Sequence, residues 1–162
     1  MNQPQRGSAL TARMRVRLRD GGIEMPMFSQ ISENIWQAGC PQNGIPLPGR
    51  FAHVVNLAGV LSYRETHVLK TSTVVDMADS ADQSLSIVDP LARLVADLAA
   101  AGDDVAVHCM AGLNRSGVVV ARALMHRGLA ADEAIETVRA RRHPKALYNQ
   151  HFTDWLRENP TV

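Results

Sequence analysis

Cys109 and Arg115 stand six positions apart at the junction of an apolar run and a helix-forming run, and that spacing suits nucleophilic chemistry on an anion. Val105, Ala106 and Val107 read as a short buried strand. His108 and Cys109 follow, then a compact loop with Gly112, then the helix formers of residues 118–125. A strand, a tight loop and a helix N-terminus in succession bring backbone N–H groups to bear on an anion. The cysteine occupies the place of that anion's central atom.

A helix N-terminus and a neighbouring guanidinium both favour a thiolate over a thiol, so Cys109 reads as a nucleophile already charged. Arg115 presents a planar fork that grips two oxygens of a phosphate, which a lysine cannot do in the same bidentate way. Ser116, at the start of the helix, can cap it and donate to the sulfur. His108 can hold the loop by hydrogen bonds. A buried cysteine beside a helix-capping serine would account for Cys109 alone, but for neither Arg115 nor the loop between them.

The string His-Cys-Met-Ala-Gly-Leu-Asn-Arg-Ser-Gly (108–117) resembles the CX5R phosphate-binding loop of the cysteine-dependent protein tyrosine phosphatases, and more closely that of the dual-specificity subgroup. The resemblance implies a phosphocysteine intermediate. Cys109 would be the nucleophile, and Arg115 with the loop residues Met110, Ala111, Gly112, Leu113 and Asn114 would bind phosphate. Ser116 would stabilise the departing thiolate and His108 would support the loop. It implies no metal and no other cofactor.

The leaving oxygen needs a proton, which a positioned carboxylic acid supplies for a gain of about 10²–10⁴. Asp76, Asp79 and Asp82 compete for the role. In the resembled family the acid sits on a loop past a strand end, with a Leu-Ser pair before the next helix, and Asp79 followed by Leu85 and Ser86 matches that layout best. The family also places a loop such as that of Tyr63 and Arg64 near the pocket mouth. It places residues such as Asn149 and Gln150 where the hydrolytic water is oriented. A second cysteine protects the oxidised nucleophile in some relatives; for Cys40 a structural role is the simpler account.

At 162 residues with 46% hydrophobic residues the chain fits one domain with a proper core, and its net charge of +1 gives no global attraction to nucleic acid or anionic lipid. Two cysteines are too few for a disulfide scaffold and suit a reducing cytoplasm. No apolar run approaches spanning length, and no signal segment with a hydrophobic centre is visible. A cytoplasmic monomer acting on phosphorylated protein is expected, away from membranes, with nucleic acid the lesser alternative as a partner.

Residues 1–22 form a basic segment, with Arg6, Arg13, Arg15, Arg17 and Arg19 ahead of the first acid, Asp20. Strict alternation over 13–19 predicts an edge strand with arginines on one face, then a turn at Gly21 and Gly22. A nucleic-acid arm and a transit peptide are the sharper alternatives. Residues 23–162 read as the catalytic domain. Strands or hairpin starts are expected at 31–39, 51–58 and 71–78. Helices are expected from a start at Asp89 and Pro90 to a stop at Gly102, and at 118–125, 132–142 and 148–156, with Phe152, Trp155 and Leu156 facing the core. His53 reads as a satisfied core group. The basic cluster of Arg139, Arg141, Arg142 and Lys145 reads mainly as complementing a helix dipole.

Alternation of strands and helices predicts one α/β domain, a mainly parallel central sheet flanked by helices, with the site at the C-terminal strand ends. Hydrolysis of phosphotyrosine, with phosphoserine and phosphothreonine as further substrates, is the leading activity. The RNA 5′-triphosphatase branch of the same superfamily shares Gly112, Leu113, Asn114 and Arg115, but usually has histidine where this chain has Ala111. The uncharged loop disfavours phosphoinositides. A non-catalytic phosphate-binding pseudophosphatase and a rhodanese-like sulfurtransferase are further alternatives. The intact Cys109, Arg115 and Asp79 argue against the first, and the Arg-Ser-Gly pattern against the second.

Overall fold

The protein is described by a computed structural model that covers residues 10–41, 45–59 and 67–162. Tyr63 and Arg64 lie outside these residues. The chain opens with strands β1 (Arg13–Leu18) and β2 (Gly21–Pro26), paired antiparallel as a two-stranded sheet. The turn is formed by Arg19 and Asp20, not by Gly21 and Gly22 as the sequence reading had it. Gly21 already pairs with Leu18, and its φ of +128° is one that only glycine adopts without strain. The hairpin therefore runs across the expected boundary between residues 22 and 23.

Five strands form the main sheet: β3 (Phe28–Ser32), β4 (Ile35–Ala38), β5 (His53–Asn56), β6 (Thr71–Val74) and β7 (Val105–His108), in the order β3-β4-β7-β5-β6. Only β3, joined to β4 through the left-handed Asn34, runs antiparallel to its neighbour. The parallel pairs are β4 with β7, β7 with β5, and β5 with β6. The central strand β7 is buried on both faces, as its β-branched run demands.

Helices α1 (Val88–Ala100), α2 (Arg115–His126), α3 (Ala131–Arg141) and α4 (Gln150–Glu158) complete the fold. Strand alternation divides the core. Ile35, Val55, Val105 and Val107 face the helices, with Val119, Val120, Ile135 and Phe152 among their neighbours. Trp36, Val54 and Ala106 face the other way, onto Phe28, Leu47 and Phe51. Among the described residues the helices thus cover one face and the 45–51 loop covers the other.

Asp89, in the first turn of α1, clamps that helix to α2. It accepts hydrogen bonds from Arg122 at 2.6 Å, His126 at 2.8 Å and Arg93 at 2.9 Å. Burial pushes its carboxyl up, but the donors Arg93, Arg122 and His126 together outweigh that and hold it at about 2. His53 is a satisfied core group, bonded to Thr71 and Asp103. Phe152 and Leu156 are fully buried, and Trp155 is half-buried against the same core.

Candidate active site

β7 delivers His108 and Cys109 to the C-terminal edge of the sheet, and α2 begins at Arg115, so the intervening loop closes over a single turn of chain. Its curvature depends on Gly112, whose φ is +71°. A Cβ there would lie 2.6 Å from the Arg142 guanidinium and 2.6 Å from the Gly39 backbone nitrogen, so no side chain fits.

The Cys109 sulfur is buried, and two donors face it. The Gly112 N–H donates at 3.2 Å and the Ser116 hydroxyl lies at 3.3 Å. Gln37 Nε2 donates to the Ser116 oxygen at 3.1 Å and to the Gly112 carbonyl at 3.1 Å. With its oxygen accepting from Gln37, the serine hydroxyl turns its proton toward the sulfur. Ser116 is the second residue of α2 and makes no capping bond; its hydroxyl is committed to Cys109.

Arg115 is fixed by Nη1, which donates to the carbonyls of Met77 at 3.0 Å and Leu57 at 3.4 Å. Its Nε is buried and has no partner among the described residues. The backbone N–H groups of Met110, Ala111, Leu113 and Asn114 likewise bond to no described acceptor. These donors, with the sulfur, form a set that suits the oxygens of a tetrahedral anion.

His108 is buried, with Nδ1 3.4 Å from the Cys109 carbonyl. Burial pushes its imidazole down to about 4. The backbone bond to Cys109 opposes this and the Arg115 charge adds to it, so the ring is neutral at physiological pH. It supports the loop without adding charge.

Of the three aspartates, the structure ties Asp79 to the loop. Asn114 Nδ2 donates to one of its oxygens and Asn149 Nδ2 to the other, both at 2.9 Å. Asn114 Oδ1 in turn accepts from the Asn149 N–H at 3.0 Å. Asp82 is engaged by the Ser80 hydroxyl at 2.8 Å, and Asp76 lies beside Gly59. Gln150 opens α4 and shows no bond to the site; its carbonyl accepts from Thr153.

Arg142 is the residue that sequence reasoning missed. It is buried, not a solvated end of α3, and donates to the Gly112 carbonyl at 2.9 Å, to the Ser29 hydroxyl at 2.9 Å and to the Pro26 carbonyl at 2.5 Å. Burial lowers its guanidinium to about 10, and the charge of Cys109 opposes that fall. Arg139 similarly braces the chain after α3 through the carbonyls of Ala146 and Leu147. The acidic first turn and basic last turn of α3 are real, but they concealed these two roles. Cys40 is buried with its N–H on the Met110 carbonyl at 3.0 Å, so its backbone touches the loop from outside.

A cysteine and an arginine are joined by a loop with four amides that bond to no described acceptor, and an aspartate is fastened to that loop, a donor set whose chemistry suits a tetrahedral anion beside a thiol. Residues 49–161 match the family model of the dual specificity phosphatase catalytic domain. The chain belongs to that family, a class of cysteine-dependent phosphoester hydrolases. Among curated proteins it is 32% identical over 114 residues to dual specificity protein phosphatase 1B of Arabidopsis thaliana, a match spanning 65% of this chain and 64% of that one. Human DUSP28 superposes with a TM-score of 0.68 at 20% identity, over 80% of this chain and 95% of that one. A human tyrosine phosphatase-like serine/threonine/tyrosine-interacting protein superposes at 0.67 with 19% identity, over 81% and 93%. The fold is thus shared with a protein named as phosphatase-like, and the fold alone does not fix the reaction.

Among the described residues no helix is long and apolar enough to cross a membrane, and no group of three or more acidic, histidine or cysteine side chains is arranged to hold a metal.

Proposed function

We propose that the protein hydrolyses phosphomonoesters on phosphorylated proteins, phosphotyrosine foremost, through a phosphocysteine. The observation that carries this reading is that one short loop joins the buried Cys109 Sγ, which two donors face, to Arg115, whose buried Nε has no partner among the described residues. In the first step the thiolate attacks phosphorus in line. The S–P bond forms, the bond to the ester oxygen breaks, and Asp79 gives its proton to that oxygen. The loop amides and Arg115 hold the three equatorial oxygens as charge redistributes over them. In the second step Asp79, now a carboxylate, takes a proton from water while the water oxygen attacks phosphorus. The S–P bond breaks, and the Ser116 hydroxyl and the Gly112 N–H receive the returning thiolate. Asn149, bonded to Asp79, orients the carboxylate for both transfers. Met110, exposed at the loop's rim, offers an apolar surface to an aromatic leaving group.

The test is phosphate release in the presence of a chelator from matched phosphotyrosine and phosphothreonine peptides and from 5′-triphosphorylated RNA, with Cys109→Ser as control. Turnover of the phosphotyrosine peptide, abolished in Cys109→Ser, is expected. Preference for the RNA would overturn the substrate assignment, and appreciable turnover by Cys109→Ser would overturn the nucleophile.

A further inference from the structure

A cleft of about 460 Å³ lies between the N-terminal hairpin and the outer rim of the phosphate loop, within the size range of ligand sites. Its walls include Met110 and Ala111 of the loop, Cys40, and five successive residues of β1, from Arg13 to Arg17. Side chains of a strand alternate between faces, so a cleft lined by consecutive residues runs along the strand's edge. Among the described residues that edge is open, because β1 pairs only with β2 there.

The register says which groups it presents. With a two-residue turn at Arg19 and Asp20, Leu18 and Gly21 form a hydrogen-bonded pair, and such pairs recur at every second position. The bond from Met27 N–H to the Ala12 carbonyl continues the same series. The even-numbered residues of β1 therefore bond to β2, and Arg13, Arg15 and Arg17 turn their N–H and C=O groups outward. The same three side chains are exposed. Glu24 is their one acidic neighbour in an ion pair, 3.0 Å from Arg13 and 3.8 Å from Arg15. Arg17 forms none among the described residues.

The hairpin is joined to the body of the protein. Asp20 accepts from Lys145 at 2.6 Å, and Arg142, which holds Gly112, donates to the Met14 sulfur at 3.4 Å. Arg142 thus touches both the hairpin and the phosphate loop.

We propose that the open edge of β1 is a docking strand for the phosphorylated substrate: an extended acidic segment beside the phosphorylated residue adds to the hairpin as a third strand. Its backbone pairs with Arg13, Arg15 and Arg17, and its carboxylates meet their guanidinium groups. The proposal rests on the phosphoprotein reading above. Charge complementarity selects an acidic occupant, and the row of main-chain donors and acceptors selects an extended peptide. Single-stranded RNA relies on aromatic stacking platforms, and residues 13–26 contain no aromatic side chain.

The experiment compares steady-state kinetics on a phosphotyrosine peptide flanked on both sides by glutamates, its glutamine counterpart, p-nitrophenyl phosphate and 5′-triphosphorylated RNA. The enzymes are the unaltered protein and the double variant Arg15→Ala/Arg17→Ala. The unaltered protein is expected to favour the glutamate peptide by about tenfold in kcat/KM, mostly through KM, and to lose the preference at high salt. The double variant loses that preference while turning over p-nitrophenyl phosphate within about twofold of the unaltered protein. Arg15→Pro, which deletes an outward N–H that β2 does not use, lowers peptide turnover further than Arg15→Ala. Equal rates on the two peptides, or an equal fall on every substrate in the double variant, would overturn the docking strand alone. Turnover of p-nitrophenyl phosphate with none of either peptide would overturn the phosphoprotein reading and the docking strand with it. A variant defect confined to the RNA would show that the edge serves nucleic acid.

Discussion

Replacing Arg142 with methionine removes a guanidinium that touches the phosphate loop from beneath. The Gly112 carbonyl keeps its second donor, Gln37, but the Pro26 carbonyl and the Ser29 hydroxyl lose theirs. The orphaned buried Ser29 hydroxyl costs about 1–3 kcal/mol, and the carbonyl of the exposed Pro26, which water can reach, about 1 kcal/mol. Methionine fills part of the space and returns about 1 kcal/mol of apolar burial. The net loss is about 2 kcal/mol, which for a domain of this size lowers Tm by about 4–8 °C. At 25 °C the variant remains folded, and kcat/KM on p-nitrophenyl phosphate falls about tenfold, because Gly112, which donates to the sulfur, is held by one contact in place of two. Arg142→Lys supplies one charged donor and recovers part of both losses. The assays are calorimetric Tm and steady-state kinetics on the same preparations. An unchanged Tm would refute the buried-donor argument, and a lowered Tm with unchanged kcat/KM would refute the coupling to the loop.

Two further outcomes are expected. Between about pH 6.5 and 4 the unfolded chain protonates His108 while the folded chain does not, so stability declines by about 1.4 kcal/mol per pH unit, about 3 kcal/mol in all. Urea midpoints of the unaltered protein should therefore fall more steeply across that window than those of His108→Gln, and parallel lines would contradict the depressed imidazole. Asn114→Ala frees one oxygen of Asp79 and should lower kcat on phenyl phosphate by about tenfold and on p-nitrophenyl phosphate by much less, since the better leaving group needs less proton donation. Equal losses on the two esters would show that Asn114 does not act through Asp79.

The local parts of the site were legible because local rules govern them. The β-branched run of β7, the glycine in the loop and the helix formers of α2 announce strand, turn and helix within a score of residues. Asp79 was separable from Asp76 and Asp82 only by resemblance, because what distinguishes it is contact with Asn114 and Asn149, 35 and 70 positions away. Arg142 was hidden for a related reason. A basic residue at the end of an acidic-to-basic helix already has a sufficient local explanation, and nothing nearby in sequence says that Pro26 and Ser29 will close over it. The turn at Arg19 and Asp20 was misplaced because a Gly-Gly pair is the stronger turn signal by composition, while the register of the hairpin is set by Met14, Val16 and Leu18 seeking the core.

The brace beneath the phosphate loop also sets a timetable for synthesis. Arg142 bonds to Gly112, 30 residues before it, and to Pro26, 116 residues before it, so the loop cannot take its final form until α3 has left the ribosome. The hairpin waits for its partner until α3 has been made, while Cys109 emerges well before the arginine that fixes Gly112. The thiol gains its full support only once Arg142 is present, and a nascent chain that stops short of it would lack the brace on Gly112.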